Sequence, residues 1–184
     1  MRLFTAIAIP RRVLDNLARL LKELRPLAPV HWSPVENLHV TTKFIGEWPE
    51  ERLPEIEDAL ENLNPPGAFD IALGKFGYFP NPHNPRAFFA CVQAGAELAT
   101  LAGSIDQALA PLGILKEPRG YSPHLTLARI KHENIGGLRQ HIANMTNTDF
   151  GTFRATEFHL FLSETGPQGS VYTSLASYPL AAKL

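Results

Sequence analysis

Apolar residues recur every three or four positions in four stretches of the chain and form short continuous or alternating runs elsewhere. The three- and four-residue spacing predicts helices over residues 11–27, 49–63, 97–113 and 134–145. One face of the first helix is apolar and consists of Val13, Leu14, Leu17, Leu20, Leu21 and Leu24. The remaining runs predict strands over 2–9, 31–32, 38–45, 69–80, 87–94, 124–130, 152–164 and 170–181.

The same polar pair occurs twice, near the start of two of the predicted strands. The pairs are His39-x-Thr41 and His124-x-Thr126, which lie 124 − 39 = 85 positions apart, and each strand is followed by a helix and then by strands. This repetition suggests a duplicated half. The pattern predicts an α+β protein of two pseudo-symmetric lobes, each an antiparallel sheet with helices on its outer face, and a single bilobal domain over 1–184.

Side chains two residues apart on a strand point to the same face. His39 and Thr41 should therefore project together, as should His124 and Thr126, and facing lobes would bring all four into one cleft. One imidazole can accept a proton while the other donates one, since histidine titrates near neutral pH. Threonine hydroxyls can donate to the oxygens of an anion held between them. A single His-x-Thr pair is more often structural, and from the residues alone that reading stays open.

Composition and charge narrow the choice of partners. The chain has 17 basic and 18 acidic side chains and a net charge of −1, which argues against binding long duplex nucleic acid through its backbone. Cys91 is the single cysteine, so no internal disulfide forms, and we expect a cytoplasmic location. No apolar run approaches about 20 residues, so no membrane partner is expected. The opening "MRLFTAIAIP" is interpreted as a first strand rather than a signal sequence.

The paired motifs and their flanks resemble the 2H phosphoesterase superfamily. Four stretches are similar to its RNA 2′,3′-cyclic phosphodiesterase branch, historically called bacterial and archaeal 2′-5′ RNA ligase. They are "RLFTAIAIP", "HWSPVENLHVTTKFIGE", "PHLTLAR" and "LFLSETGPQGSVYTSLASYPL". The resemblance implies a bilobal α+β fold with the active site in the cleft between the lobes. It also implies hydrolysis of a 2′,3′-cyclic phosphate at the end of an RNA or nucleotide to a 2′-phosphate, possible reversible 2′-5′ ligation, and no metal or other cofactor.

The resemblance also assigns roles to residues of this chain. His39 and His124 become the acid–base pair, with His39 as the acid that protonates O3′ and His124 as the base that activates water, an assignment that the pseudo-symmetry makes reversible. Thr41 and Thr126 hold the phosphate. Arg129 matches the arginine that follows the second motif and is expected to bind substrate. A regular strand would place it on the face opposite His124, but it could still reach the phosphate or the base if the strand ends or twists there.

The remaining expectations concern base recognition and rival functions. Among the aromatic residues that can stack on a base, Tyr121 is favoured because it lies three residues before His124. A solvated role is expected for Lys43 and Arg119, and a monomer is expected. Two alternatives stay open: a 2H phosphodiesterase acting on another cyclic or 2′-5′-linked nucleotide, and an RNA-end binding module that does not turn over its ligand.

Overall fold

The computed structural model describes residues 1–167 and 169–181. The described part of the chain contains nine strands and four α-helices. The strands are β1 (Arg2–Ala8), β2 (His31–Trp32), β3 (His39–Glu47), β4 (Phe69–Phe79), β5 (Ala87–Ala94), β6 (His124–Arg129), β7 (Asp149–Ala155), β8 (Glu157–Gly166) and β9 (Gly169–Pro179). The helices are α1 (Arg11–Leu24), α2 (Leu53–Glu61), α3 (Ala96–Leu109) and α4 (Gly136–Asn144).

The strands form two antiparallel sheets, which confirms the predicted α+β class. The four-stranded sheet has the order β3-β1-β8-β9, and the five-stranded sheet has the order β2-β6-β5-β4-β7. The first motif lies on β3 and the second on β6, so each sheet carries one motif. Within its sheet each motif strand pairs with a strand that carries aromatic residues, β1 for β3 and β5 for β6.

The two lobes are interleaved in sequence and do not correspond to the two halves of the chain. After β3 the chain crosses to the five-stranded sheet to form β4 and β5, and after β7 it returns to the four-stranded sheet for β8 and β9. The single strand predicted over 152–164 is therefore wrong. It divides at Thr156, because β7 pairs with β4 whereas β8 pairs with β1 in the other sheet.

Helices cover both sheets, as the amphipathic patterns predicted. α1 contacts β7 of the five-stranded sheet, whereas α3 contacts β3 and α2 contacts α3 and β9 of the four-stranded sheet. On α1 the predicted apolar face is buried at Val13, Leu17, Leu20, Leu21 and Leu24. Full burial of each of these side chains contributes about 1.5–3 kcal/mol to the free energy of unfolding, so burial of this face holds α1 against its sheet. Among the described residues no helix is long and apolar enough to span a membrane.

Candidate active site

The four motif side chains meet in one cleft to which both sheets contribute. His39, Thr41, His124 and Thr126 all line this cleft, which has a volume of about 610 Å³. Each of the four is half-buried, whereas the alternate residues Val40, Thr42, Leu125 and Leu127 are buried. The structure therefore places the side chains as the two-residue period of a strand predicts.

A β-bulge in β3 changes which side chains follow the first motif into the cleft. Thr41 pairs with Ala6 and Lys43 pairs with Thr5, so Thr42 is an extra residue between two paired positions. Because an extra residue reverses the alternation of the strand, Lys43 turns inward and Phe44 turns into the cleft. Lys43 is only 3% exposed, so the prediction that it is solvated is wrong.

A bulge at the same place in β6 brings Arg129 into the cleft. Thr126 pairs with Phe89 and Ala128 pairs with Phe88, which leaves Leu127 without a partner of its own. The bulge reverses the alternation, so Arg129 lies on the face of His124 and lines the cleft. β6 is therefore not regular at this point, and Arg129 and Phe44 occupy equivalent positions in the two lobes.

Both motif histidines are held in the same way by the backbone. The Nδ1–H of His39 donates to the carbonyl oxygen of Asn37 at 2.7 Å, and that of His124 donates to the carbonyl oxygen of Ser122 at 2.8 Å. A neutral imidazole whose Nδ1 carries the proton has an unprotonated Nε2. Each histidine therefore presents Nε2 for proton transfer, since the other ring nitrogen is engaged.

The two histidines have different surroundings. The ring of His39 packs against a cluster of aromatic side chains, with ring centroids 4.7 Å away for Phe4 and 5.3 Å away for Tyr172. Burial is the main cause that lowers the pKa of His39 to about 4; the hydrogen bond to Asn37 opposes this shift, and electrostatic interaction with the nearby His124 adds to it. His39 is therefore neutral at pH 7 in the ligand-free cleft.

Aromatic side chains also pack against His124 from strands β4 and β5. Phe79 meets the imidazole edge to face at 4.8 Å, and the Phe89 ring centroid lies 5.4 Å away. Gly77 makes room for the Phe89 ring, because a Cβ atom there would lie 2.3 Å from it. Gly77 therefore permits the packing of aromatic rings beside the second motif.

The charged residues that line the cleft are all basic. Arg86, Arg119 and Arg129 line it, and no carboxylate is found among its described lining residues. This is a local excess of positive charge in a chain whose net charge is −1. The cleft therefore suits an anionic ligand, although the overall composition gave no sign of one.

Sequence reasoning missed one aromatic residue of the cleft and favoured another that lies outside its described lining. Tyr172 lines the cleft and packs on His39, and only the pairing of β8 with β1 and β9 brings it there. Tyr121 is not among the lining residues. Its hydroxyl donates to the carbonyl oxygen of Thr41 at 2.8 Å, and burial raises the pKa of its phenol. Tyr121 therefore supports the first motif by binding the backbone of β3, the edge strand of its sheet.

Removing the Tyr121 hydroxyl should destabilise the fold measurably. Tyr121→Phe leaves the partly buried carbonyl of Thr41 without this donor. We expect the free energy of unfolding to fall by about 1 kcal/mol. In thermal unfolding that corresponds to about 2–4 °C in Tm. Tyr172→Phe is the matched control, since that ring lines the open cleft, and its Tm should stay close to wild type. Equal shifts in both variants would contradict a supporting role for the Tyr121 hydroxyl.

Within the described residues no cluster of three or more His, Cys, Asp or Glu side chains is arranged to hold a metal ion. The groups that the cleft does offer include the imidazoles of the two motif histidines, the hydroxyls of the two motif threonines and three guanidinium groups. This set can move two protons and can bind the oxygens of a phosphate group at the same time.

Comparison with known proteins identifies the family. The model of the LigT-like phosphoesterases matches residues 7–89 and 91–172. An RNA 2′,3′-cyclic phosphodiesterase of Archaeoglobus fulgidus is 33% identical over 95% of this chain and 98% of its own length. One from Methanocaldococcus jannaschii is 35% identical over 94% and 96%. The solved structure of TT0787 of Thermus thermophilus is 30% identical, covers 100% of both chains and has a TM-score of 0.80. The chain therefore belongs to the LigT-like phosphoesterase family.

Proposed function

We propose that this protein hydrolyses 2′,3′-cyclic phosphate ends of RNA to 2′-phosphates and that its two histidines carry the reaction without a metal ion. The observation that carries the proposal is the pair of His-x-Thr strands that meet in one cleft lined by arginines. The relatives named RNA 2′,3′-cyclic phosphodiesterase, which align over nearly the whole chain, support the choice of substrate.

The proposed reaction is an in-line attack of water on the cyclic phosphate. His124 Nε2 takes a proton from the attacking water, whose oxygen forms a bond to phosphorus. The bond from phosphorus to O3′ breaks, and His39 Nε2 gives its proton to the departing O3′. General acid and general base catalysis each contribute about 10²–10⁴-fold in rate. The product is the 2′-phosphate. His124 has gained one proton and His39 has lost one, so the total number of protons on the two histidines is unchanged.

The low pKa of His39 adds a condition to this scheme. His39 is neutral at pH 7 in the free cleft, so it must gain a proton to act as an acid. A phosphate anion placed against the imidazole favours its charged form and raises its pKa. In this proposal the proton is taken up as the substrate binds.

The threonines and the arginine after the second motif would hold the phosphate. Thr41 and Thr126 each lie two residues from a histidine on the same strand face, so their hydroxyls can donate to the non-bridging oxygens. Arg129 adds a positive charge on the side of the cleft formed by β6, where Thr126 also lies. Charge that builds on the phosphate oxygens in the transition state is thereby stabilised.

We also propose that the chain forms one bilobal domain and acts as a cytoplasmic monomer. Its two sheets share one cluster of buried side chains, which supports a single domain. The large apolar side chains that are exposed among the described residues are Phe44, Leu115 and Val171, too few for an extensive apolar interface. The free thiol of Cys91 fits a reducing compartment.

The proposed function predicts a defined product from a defined substrate. A short RNA ending in a 2′,3′-cyclic phosphate should be converted to the 2′-phosphate in the presence of EDTA, because both proton transfers use histidine. Phosphorus NMR, together with resistance of the product to a 3′-specific phosphatase, identifies the phosphate position.

Other outcomes would point to specific alternatives. Tight binding of the cyclic end with no turnover would indicate an RNA-end binding module. Inert RNA combined with hydrolysis of an ADP-ribose cyclic phosphate or a 2′-5′ oligoadenylate would move the protein to another substrate of the same superfamily. A 3′-phosphate product would show that O2′, and not O3′, is the leaving oxygen.

A further inference from the structure

Basic side chains gather at the end of the cleft farthest along β6 from His124. His31 pairs across the β2–β6 ladder with Arg129, and Ala87 pairs with Arg129 across the β5–β6 ladder. Arg86 directly precedes Ala87, the first residue of β5, so His31, Arg129 and Arg86 lie close together where β2, β6 and β5 are neighbours. All three line the cleft, and the reaction proposed above assigns no individual role to His31 or Arg86.

Arg86 is fixed at this place by its hydrogen bonds. Its amide donates to the carbonyl oxygen of Phe79 at 2.6 Å, and its carbonyl accepts from the amide of Ile130 at 2.9 Å. The guanidinium Nη1 donates to the carbonyl oxygen of Lys131 at 2.9 Å. This bond holds the guanidinium plane while other N–H groups remain to meet a ligand, since a guanidinium carries five donors. An arginine positioned in this way loses less freedom when it binds a phosphate.

The bulges that follow the two motifs present different side chains to the cleft. The bulge that follows the first motif presents Phe44, which is 56% exposed, whereas the equivalent bulge after the second motif presents Arg129. An exposed aromatic ring suits a nucleobase, and guanidinium groups suit phosphates. With the cyclic phosphate between the two histidines, the terminal base would lie toward Phe44 and the rest of the RNA would leave past Arg129 and Arg86.

We infer that His31 and Arg86 form a second phosphate subsite, which binds the internucleotide phosphate on the 5′ side of the cyclic end. Arg129 lies five residues after His124, or about 16 Å along an extended strand, less the contraction at the bulge. One nucleotide and an extended arginine side chain together cover that span. The inference rests on the proposed function and extends it, because it makes an oligonucleotide a better substrate than a mononucleotide and assigns the gain to one phosphate.

A charge-neutral linkage tests this subsite directly. The substrates are cytidine 2′,3′-cyclic phosphate and two dinucleotides with the same cyclic end, one with a phosphodiester linkage and one with an uncharged methylphosphonate. Both dinucleotides carry a 2′-O-methyl group on the first ribose, so their linkage cannot cyclise. At low ionic strength we expect kcat/KM to be about tenfold higher for the phosphodiester than for the methylphosphonate. A third nucleotide should add little.

The Arg86→Gln variant should bring the ratio of the two dinucleotide kcat/KM values toward one. The matched control is Arg154→Gln, an exposed arginine on β7 of the same sheet that pairs with Asp70 and does not line the cleft. That variant should keep the wild-type ratio. A wild-type ratio of one, or an equal loss on both dinucleotides in Arg86→Gln, would overturn the subsite while the opening of cytidine 2′,3′-cyclic phosphate still upheld the proposed function. If no cyclic phosphate is opened, both proposals fall.

Discussion

Replacing either His39 or His124 with alanine should lower the rate of cyclic phosphate opening by about 10²–10⁴-fold. Each imidazole presents an Nε2 to the cleft because its Nδ1 is tied to a backbone carbonyl. Alanine removes that nitrogen and offers no other proton carrier in its place. The measurement is kcat on a short RNA with a 2′,3′-cyclic phosphate end, made in EDTA at pH 7.

The control for this experiment is another histidine of the same chain. His141 lies on α4, where its Nε2 is 2.8 Å from Glu23, and it does not line the cleft. His141→Ala should therefore react at the wild-type rate. Circular dichroism of all three variants shows whether they fold. A folded His39→Ala or His124→Ala protein with wild-type kcat would rule out that histidine as a proton carrier.

A substrate with sulfur in place of the bridging O3′ separates the two roles. A thiolate departs without protonation, so loss of the general acid should matter little for such a substrate, whereas loss of the base should still be severe. The assignment of His39 as the acid predicts that His39→Ala recovers most of its activity on the sulfur substrate and that His124→Ala does not. Recovery of His124→Ala instead would exchange the two roles.

The sequence predicted the cleft because strand periodicity is a local property. His39 and Thr41 share a face whatever the rest of the chain does, and so do His124 and Thr126. The apolar face of α1 was predictable for the same reason, since its spacing lies within one helix. Each of these features depends on residues only a few positions apart.

The features that the sequence did not predict depend on pairing between distant strands. A regular β3 would turn Lys43 toward the cleft and bury Phe44, and the bulge at Thr42 reverses both. Whether a bulge forms depends on the register with β1, which the residues of β3 alone do not specify. Tyr172 reaches His39 only because β9 joins the sheet of β3 through β8.

The inward turn of Lys43 creates a buried ion pair behind the first motif. Its Nζ lies 2.5 Å from Asp106 Oδ1 of α3 and donates to the carbonyl oxygen of Leu115 at 2.6 Å. The Lys43 side chain is 2% exposed and that of Asp106 is 18% exposed. Asp106 Oδ2 also accepts from the amide of Glu117 at 3.1 Å. The pair therefore joins β3, α3 and the segment that follows α3.

Asp106→Ala should destabilise the protein by about 3–5 kcal/mol, because it leaves a buried ammonium group without its carboxylate. For a chain of this size the loss corresponds to about 6–20 °C in Tm. The matched control is Asp70→Ala, which removes the carboxylate from the exposed Arg154 pair and should cost less than about 1 kcal/mol.

The double variant Lys43→Met with Asp106→Leu distinguishes a lost charge partner from lost packing. It removes both charges and leaves apolar side chains of similar volume, so its Tm should lie well above that of Asp106→Ala. If the double variant is as unstable as the single one, the loss arises from packing or from the hydrogen bonds to Leu115 and Glu117, and not from an uncompensated charge. Because Lys43 is two residues from Thr41, the same comparison made on kcat shows whether the pair also holds the first motif in place.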